Sequence, residues 1–167
     1  MAYELLLTVD GIPNCLIPSA LERHGIQVND YARIYMNHPA FQSKPTPRPI
    51  RLMVLSLEEL GFKDGATLPQ IIAAAQQQGL YPCAPVVGVY LRLHMTKQEV
   101  SKNSVLTGTQ EAPEGAITVI SQLLEQNSGF PRGLYLRNVD GTLWLRGYIC
   151  DEEYAWKPTD VFALEIK

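Results

Sequence analysis

The sequence predicts an α+β fold: a largely antiparallel sheet of about five to six strands, a packed helix and an N-terminal helical section. Three observations carry this. Asp140-Gly141 lies between two runs of alternating apolar and polar residues, the strongest short-range signal for a β-hairpin. The segment VVGVYLRLHM alternates with period two, as a half-buried strand does. The segment DGATLPQIIAAAQQQGL has a capping residue, a first-turn proline and a closing glycine, the punctuation of a helix. At 167 residues with 46% hydrophobic side chains, the chain suits one domain with a substantial core.

Taken in order, Leu5–Val9 reads as a short strand ended by the Asp10-Gly11 turn. IPSALERHG follows as a short helix, with Pro18 in its first turn and Gly25 just past its end. Asn29 is a good N-cap for a second helix carrying Tyr31, Ile34 and Tyr35 on one side, and Pro39 stops it near His38. The proline-rich SKPTPRPI is either a connector between an N-terminal section (1–49) and an α+β domain (50–167), or an ordered arm lying across the domain.

Strands are expected at Ile50–Leu55, Val86–Met95, Ala116–Ile120, Gly133–Val139, Thr142–Ile149 and Val161–Ile166. Ser56 and Glu59 have capping-box spacing for a one-turn helix. Thr67 caps a helix over Pro69–Gln78, with Leu68, Ile71, Ile72 and Ala75 facing inward onto the aliphatic side of the sheet. Thr96–Gly115 is a polar loop, long enough to be either mobile or functional. EEYAWKPTD leads into the last strand, with Trp156 folded down as a hydrophobic lid.

Charged residues make up 19% and the formal net charge is −3, without the basic excess of a dedicated nucleic-acid binder. The helix-turn-helix outline of Ser56–Gly79 does not change this, because Gln70–Gln78 holds no Lys or Arg to meet phosphates. Cys15, Cys83 and Cys150 are odd in number and widely spaced, the pattern of reduced thiols in a cytoplasmic protein. The N-terminus has no basic region before its short apolar run, unlike a secretory signal. No apolar stretch approaches the ~18 residues that a membrane span requires. A soluble cytoplasmic protein is therefore expected. P-loop, GxGxxG, HExxH, GxSxG and EF-hand patterns are all missing. No cofactor or metal is expected; the histidines are scattered, with His24 and His38 near helix ends where they serve the last carbonyls.

The hairpin carries the most specific functional signal. A two-residue loop sets Val139 opposite Thr142, Arg137 opposite Trp144 and Tyr135 opposite Arg146. Tyr135, Arg137, Trp144, Arg146 and Tyr148 then share one face, while Leu134, Leu136, Leu143, Leu145 and Ile149 form the core face. If VVGVYLRLHM joins the same sheet, Tyr90, Arg92 and His94 extend the Arg/aromatic face. Guanidinium forks bind phosphate or carboxylate, and aromatic rings stack on planar groups. Such a face suits an anionic, partly aromatic small ligand such as a nucleotide, or a protein partner. It equally serves as plain cover for a sheet. The alternative is a small hydrolase or transferase using Cys150 with His94, or the Asp151–Glu153 carboxylates.

The stretches LGFKDGATLPQIIAAAQQQGLYPCAPVVGVYLRLH and FPRGLYLRNVDGTLWLRGYICDEEYAWKPTDVFAL resemble a group of small bacterial proteins. Those proteins share a helix, a GL.PC turn and a C-terminal LYLR..DG.LWLRGY hairpin, and the similarity covers about the last two-thirds of the chain. Some are labelled helicases, but this sequence holds no helicase motif and that label is not carried over. The resemblance implies a compact bacterial or phage-borne domain and assigns no catalytic residue.

Overall fold

The computed structural model describes residues 1–101 and 111–167. Along the chain run β1 (Tyr3–Val9), α1 (Ile17–Arg23), β2 (Gln27–Val28), α2 (Asp30–Met36), β3 (Arg48–Ser56), α3 (Leu57–Leu60), β4 (Ala66–Thr67) and α4 (Leu68–Gln77). There follow β5 (Leu80–Tyr81), α5 (Val87–His94), β6 (Ile117–Val119), β7 (Gly133–Val139), β8 (Thr142–Tyr148), β9 (Ala155–Trp156) and β10 (Val161–Ile166). The fold is α+β. Its eight-stranded sheet has the order β1-β3-β10-β6-β7-β8-β2, and β5 pairs with β10 off that path. Most neighbours are antiparallel; β10 with β6, and β2 with β8, run parallel. The sheet has more strands than the sequence predicts, because β1 and the two-residue strands β2 and β5 join it.

Local chemistry explains where elements begin and end. Ser56 Oγ accepts from Glu59 N–H at 3.2 Å while the Glu59 carboxylate accepts from Ser56 N–H at 2.8 Å, a complete capping box for α3. Gln70 Oε1 accepts from Thr67 N–H at 2.9 Å at the start of α4, and Gly79 takes a φ of 75° beyond its end. At the hairpin, Asp140 and Gly141 adopt φ of 51° and 89°, the left-handed pair of a type I′ turn. That turn sets the predicted register, with Arg137 opposite Trp144 and Tyr135 opposite Arg146.

Two apolar cores lie on opposite faces of the sheet. Val54, Ala163, Val119, Leu134 and Leu136 point to a first face, where α1, α2 and α5 pack through Leu21, Tyr35, Val87 and Leu91. Leu55, Phe162 and Leu164 point to the second face, covered by α3, α4 and the β4–β9 pair through Leu57, Leu68, Ile71 and Trp156. Residues 1–49 belong to this same assembly. β1 pairs with β3 from Tyr3↔Val54 to Val9↔Arg48. Asp10 ties down the proline-rich arm, accepting from Lys44 N–H at 2.9 Å and from Arg48 Nε at 3.1 Å.

Three expectations are corrected here. Val86–Met95 is not a strand; Val87–His94 is the helix α5. Val87 through Arg92 are all buried, so no polar stripe reveals the helical period, and a short apolar run reads alike for buried strand and buried helix. Gly88 lets this helix lie close on β7, since a Cβ there would stand 3.0 Å from Leu134 Cβ. Second, α4 packs on the face opposite the hairpin leucines, whose cover is α5 instead. Third, α2 turns Ala32 and Tyr35 inward and leaves Tyr31 and Ile34 exposed. Of the loop expected over Thr96–Gly115, residues 102–110 lie outside the described residues. Among the described residues, no helix is long and apolar enough to cross a membrane.

The start of α2 is fastened to β8. Asn29 Oδ1 accepts from both Ala32 N–H (2.8 Å) and Gly147 N–H (2.8 Å), and Asn29 Nδ2 donates to Gly147 O (3.1 Å). The helix can approach because residue 147 has no side chain: a Cβ there would lie 2.5 Å from Tyr31 C and 2.6 Å from Ala32 N. Those are backbone atoms and cannot swing aside. Gly147→Ala should therefore lower the unfolding free energy by about 2–3 kcal/mol. Urea denaturation measures this, and a loss under about 0.5 kcal/mol would mean that α2 is not seated as described.

The α3 capping box also predicts a pH effect. Acceptance from Ser56 N–H, with help from Ser56 Oγ and Ala2 N–H, lowers the Glu59 pKa from its ordinary 4.5 to about 2. A lowered carboxylate pKa stabilises the fold above the unfolded value, and that contribution disappears as pH falls toward the folded one. Glu59→Gln should lower stability at pH 7 and flatten the profile between pH 5 and 2, so that variant and parent converge near pH 2. An unchanged acid limb in thermal melts would count against it.

Candidate functional site

The predicted face divides into three parts. Tyr135, Arg137, Trp144, Arg146 and Tyr148 do share the second face of β7 and β8. Near the hairpin tip, Arg137 is 3% exposed and its Nε donates to Ser101 Oγ at 3.0 Å. The segment Gln98–Ser101 also straps the hairpin from its edge: Asn138 Nδ2 donates to Gln98 O at 2.7 Å, and Ser101 N–H donates to Asn138 O at 2.8 Å. Burial lowers the pKa of Arg137. In the middle, the Arg146 guanidinium stacks 4.4 Å from the Trp144 ring centre, a cation–π pair that is half-buried. At the base, Tyr135 and Tyr148 open into a cleft.

Tyr90, Arg92 and His94 do not belong to that face, because they ride on α5 in the other layer. Tyr90 Oη accepts from Ile12 N–H at 3.0 Å and is hydrogen-bonded to Ser43 Oγ at 2.5 Å, a purely structural seat. Arg92 is completely buried. Its Nη1 donates to Gln98 Oε1 at 2.6 Å and Trp144 O at 3.4 Å, and Nη2 donates to Met95 O. Burial lowers its pKa to about 10, so it stays charged at neutral pH, bonded to neutral oxygens. It is a staple joining α5, the strap and β8. His94 is exposed.

The cleft has a volume of about 700 Å³. Tyr135, Tyr148, Tyr154 and Trp156 form its aromatic wall, Thr118 lies on its floor strand, and Asn29 and Tyr31 reach in from α2. Among the described residues, Glu111 and Asp151 are the ionisable groups of its lining besides Cys150 and the tyrosines, and no Lys, Arg or His lines it. The wall is built from edge-to-face ring contacts. Tyr135 and Tyr148 have centroids 6.3 Å apart, Tyr148 and Trp156 5.8 Å, Tyr154 and Trp156 5.2 Å, and Trp156 and Phe162 5.2 Å. Trp156 is 4% exposed and held by pairing with Ala66, so the expected lid is in fact the rear wall, continuous with the second core. Burial pushes the Tyr148 phenol well above its ordinary pKa, so it remains protonated. Ile149, expected on the core face, lies beyond the end of β8 and is exposed at the cleft rim.

The catalytic alternatives separate in space. Arg92 reaches Trp144 O on the first-face side, so His94 lies toward the hairpin tip. Cys150 follows Tyr148 at the other end of β8, about 13 Å or more along the strand, and packs against the second core. Its thiol donates to Asp151 O at 3.2 Å, and burial raises its pKa. Asp151 Oδ1 accepts from Glu153 N–H (2.9 Å) and Tyr154 N–H (2.8 Å), and Asp151, Glu152 and Glu153 form an exposed turn. Of the other histidines, His24 Nδ1 is bonded to Ala20 O at 2.7 Å as expected for a helix end, whereas His38 Nε2 meets Glu125 at 2.7 Å instead. Among the described residues, no group of three or more His, Cys, Asp or Glu side chains is placed to hold a metal ion.

Comparison with protein-family models, curated proteins and solved structures finds no match, so the sequence resemblance adds nothing to the function.

Sequence reasoning reached Tyr135 and Tyr148 as ligand-face residues, Trp156 only as a hydrophobic lid, and Cys150 and Asp151 through the catalytic alternative. It missed Asn29, Tyr31 and Tyr154 as site residues. Tyr154 was within reach, because it sits two residues before Trp156 in the same loop. Asn29 and Tyr31 were not, since only the crossing of α2 over Gly147 brings them to the cleft.

The protonated state of Cys150 can be checked directly. At pH 7 iodoacetamide should alkylate exposed Cys15 well before Cys150, and Cys150 labelling should rise only at alkaline pH. Mass spectrometry of the labelled peptides reads both sites; faster labelling of Cys150 at pH 7 would restore the nucleophile reading.

Proposed function

We propose that the protein is a cytoplasmic, non-enzymatic binding domain that takes a flat, largely apolar ligand into the aromatic cleft at the base of the hairpin. The observation that carries this reading is the cleft itself: about 700 Å³, walled by Tyr135, Tyr148, Tyr154 and Trp156. A cavity of this size lined by aromatic faces and a few polar groups is the usual form of a small-molecule site. The ligand class is refined from the sequence expectation. With Glu111 paired to Lys157 at 2.5 Å, Asp151 Oδ1 accepting from two backbone N–H groups and the arginines engaged elsewhere, a neutral aromatic group is favoured over a phosphate-rich one. Arg146, opposite Tyr135 in the register, stands beside the cleft and suits a single anionic substituent at most. The cytoplasmic setting is supported by three cysteines that are all free.

Ligand-observed NMR with a library of small aromatic fragments tests the reading. Fragments should bind the parent protein, and the double substitution Tyr135→Ala/Tyr154→Ala should weaken them at least tenfold while the circular dichroism spectrum is kept. Both tyrosines are only partly buried, so the fold should tolerate the change. Fragments that bind the double variant as well as the parent would place the site elsewhere.

A further inference from the structure

The two edges of the large sheet are treated very differently. At one end β2 is two residues long, and just beyond it the Asn29 side-chain amide bonds to both the N–H and the C=O of Gly147, as a neighbouring strand would. That edge is closed. At the other end β1 is a seven-residue strand, YELLLTV, in unbroken register with β3. On its outer side none of its backbone groups is hydrogen-bonded to any described residue. Of the usual devices that protect an edge it has neither a proline nor a bulge, and it carries a single charge, Glu4. Leu6, at its centre, is 66% exposed, and Tyr3 is 43% exposed.

We infer that β1 is a dimerisation edge, pairing antiparallel with β1 of a second copy of this chain about a two-fold axis at Leu6. The strand is self-complementary in that register. Leu6 meets Leu6 of the second copy, Leu5 meets Leu7, Tyr3 meets Val9 and Glu4 meets Thr8, so no like charges are opposed. Tyr3, Leu5, Leu7 and Val9 lie on the first-face side with Val54, Leu52 and Ile50 behind them, which continues the first core toward the axis. Glu4 lies on the second-face side, already neutralised by Arg51 at 2.8 Å. The paired strands complete the outward backbone bonds and cover Leu6, and the closed two-fold arrangement uses up the edge, so growth stops at two copies.

Sedimentation equilibrium over a concentration series tests this without reference to any ligand. The parent should form a dimer and nothing larger. Leu6→Lys and Leu6→Glu each place like charges face to face at the axis and should weaken the dimer at least tenfold; at an exposed position they leave the monomer folded, as circular dichroism would verify. Mixing the two variants should restore a one-to-one heterodimer, a result that a merely structural effect of either substitution would not produce. A parent that stays monomeric, a dimer indifferent to both substitutions, open-ended aggregation in place of a dimer, or failure of the mixed pair to associate would each overturn the inference.

Discussion

The structure depends on the insertion of β10 between β3 and β6. The last strand of the chain is an interior strand of the sheet, antiparallel to β3 on one side and parallel to β6 on the other. It contributes to both cores at once: Ala163 is fully buried on the first face, and Phe162 and Leu164 are buried on the second. A strand with both faces covered must be apolar on both faces, which explains why VFALEI lacks clean alternation. Residues far apart in sequence thus meet in one sheet: β1 and β3 on one side of β10, the hairpin on the other.

The cleft follows from incomplete cover. α3, α4 and the β4–β9 pair cover the second face over β3 and β10, but the hairpin extends past them. Where the cover stops, Trp156 ends the core and Tyr148 and Tyr135 carry the line of rings out to solvent. The wall of the cleft is therefore continuous with the core behind it, each ring meeting its neighbour edge to face. On the first face α2 and α5 lie across the same two strands, seated through Gly147 and Gly88.

The arginines illustrate how the same residue type takes different roles by position. Arg92 is a buried cation that satisfies backbone and amide oxygens and holds α5, the strap and β8 together. A buried charge without a carboxylate is tolerable only when its hydrogen bonds go to well-placed neutral acceptors, as here. Arg137 lies under the strap, and Arg146 rests on Trp144. A face that looks uniformly basic and aromatic in one dimension becomes a staple, a packed anchor and a surface stack in three.

The sequence by itself determined the features that depend on near neighbours. The Asp140-Gly141 turn requires two left-handed residues, so the hairpin, its register and its two faces were legible from the chain. The same holds for the caps at Asn29 and Ser56, whose partners lie three residues away. Only the tertiary structure decided the rest. α5 is buried from Val87 through Arg92, so no polar stripe marks its helical period, and its alternation matches that of a half-buried strand. Which face α4 would cover was equally hidden, because both faces of the central strands are apolar. The cleft belongs to the same class: it is made by residues from α2, the segment around Glu111, β7, β8 and the loop carrying Tyr154 and Trp156, and no local pattern encodes where a layer stops covering a sheet.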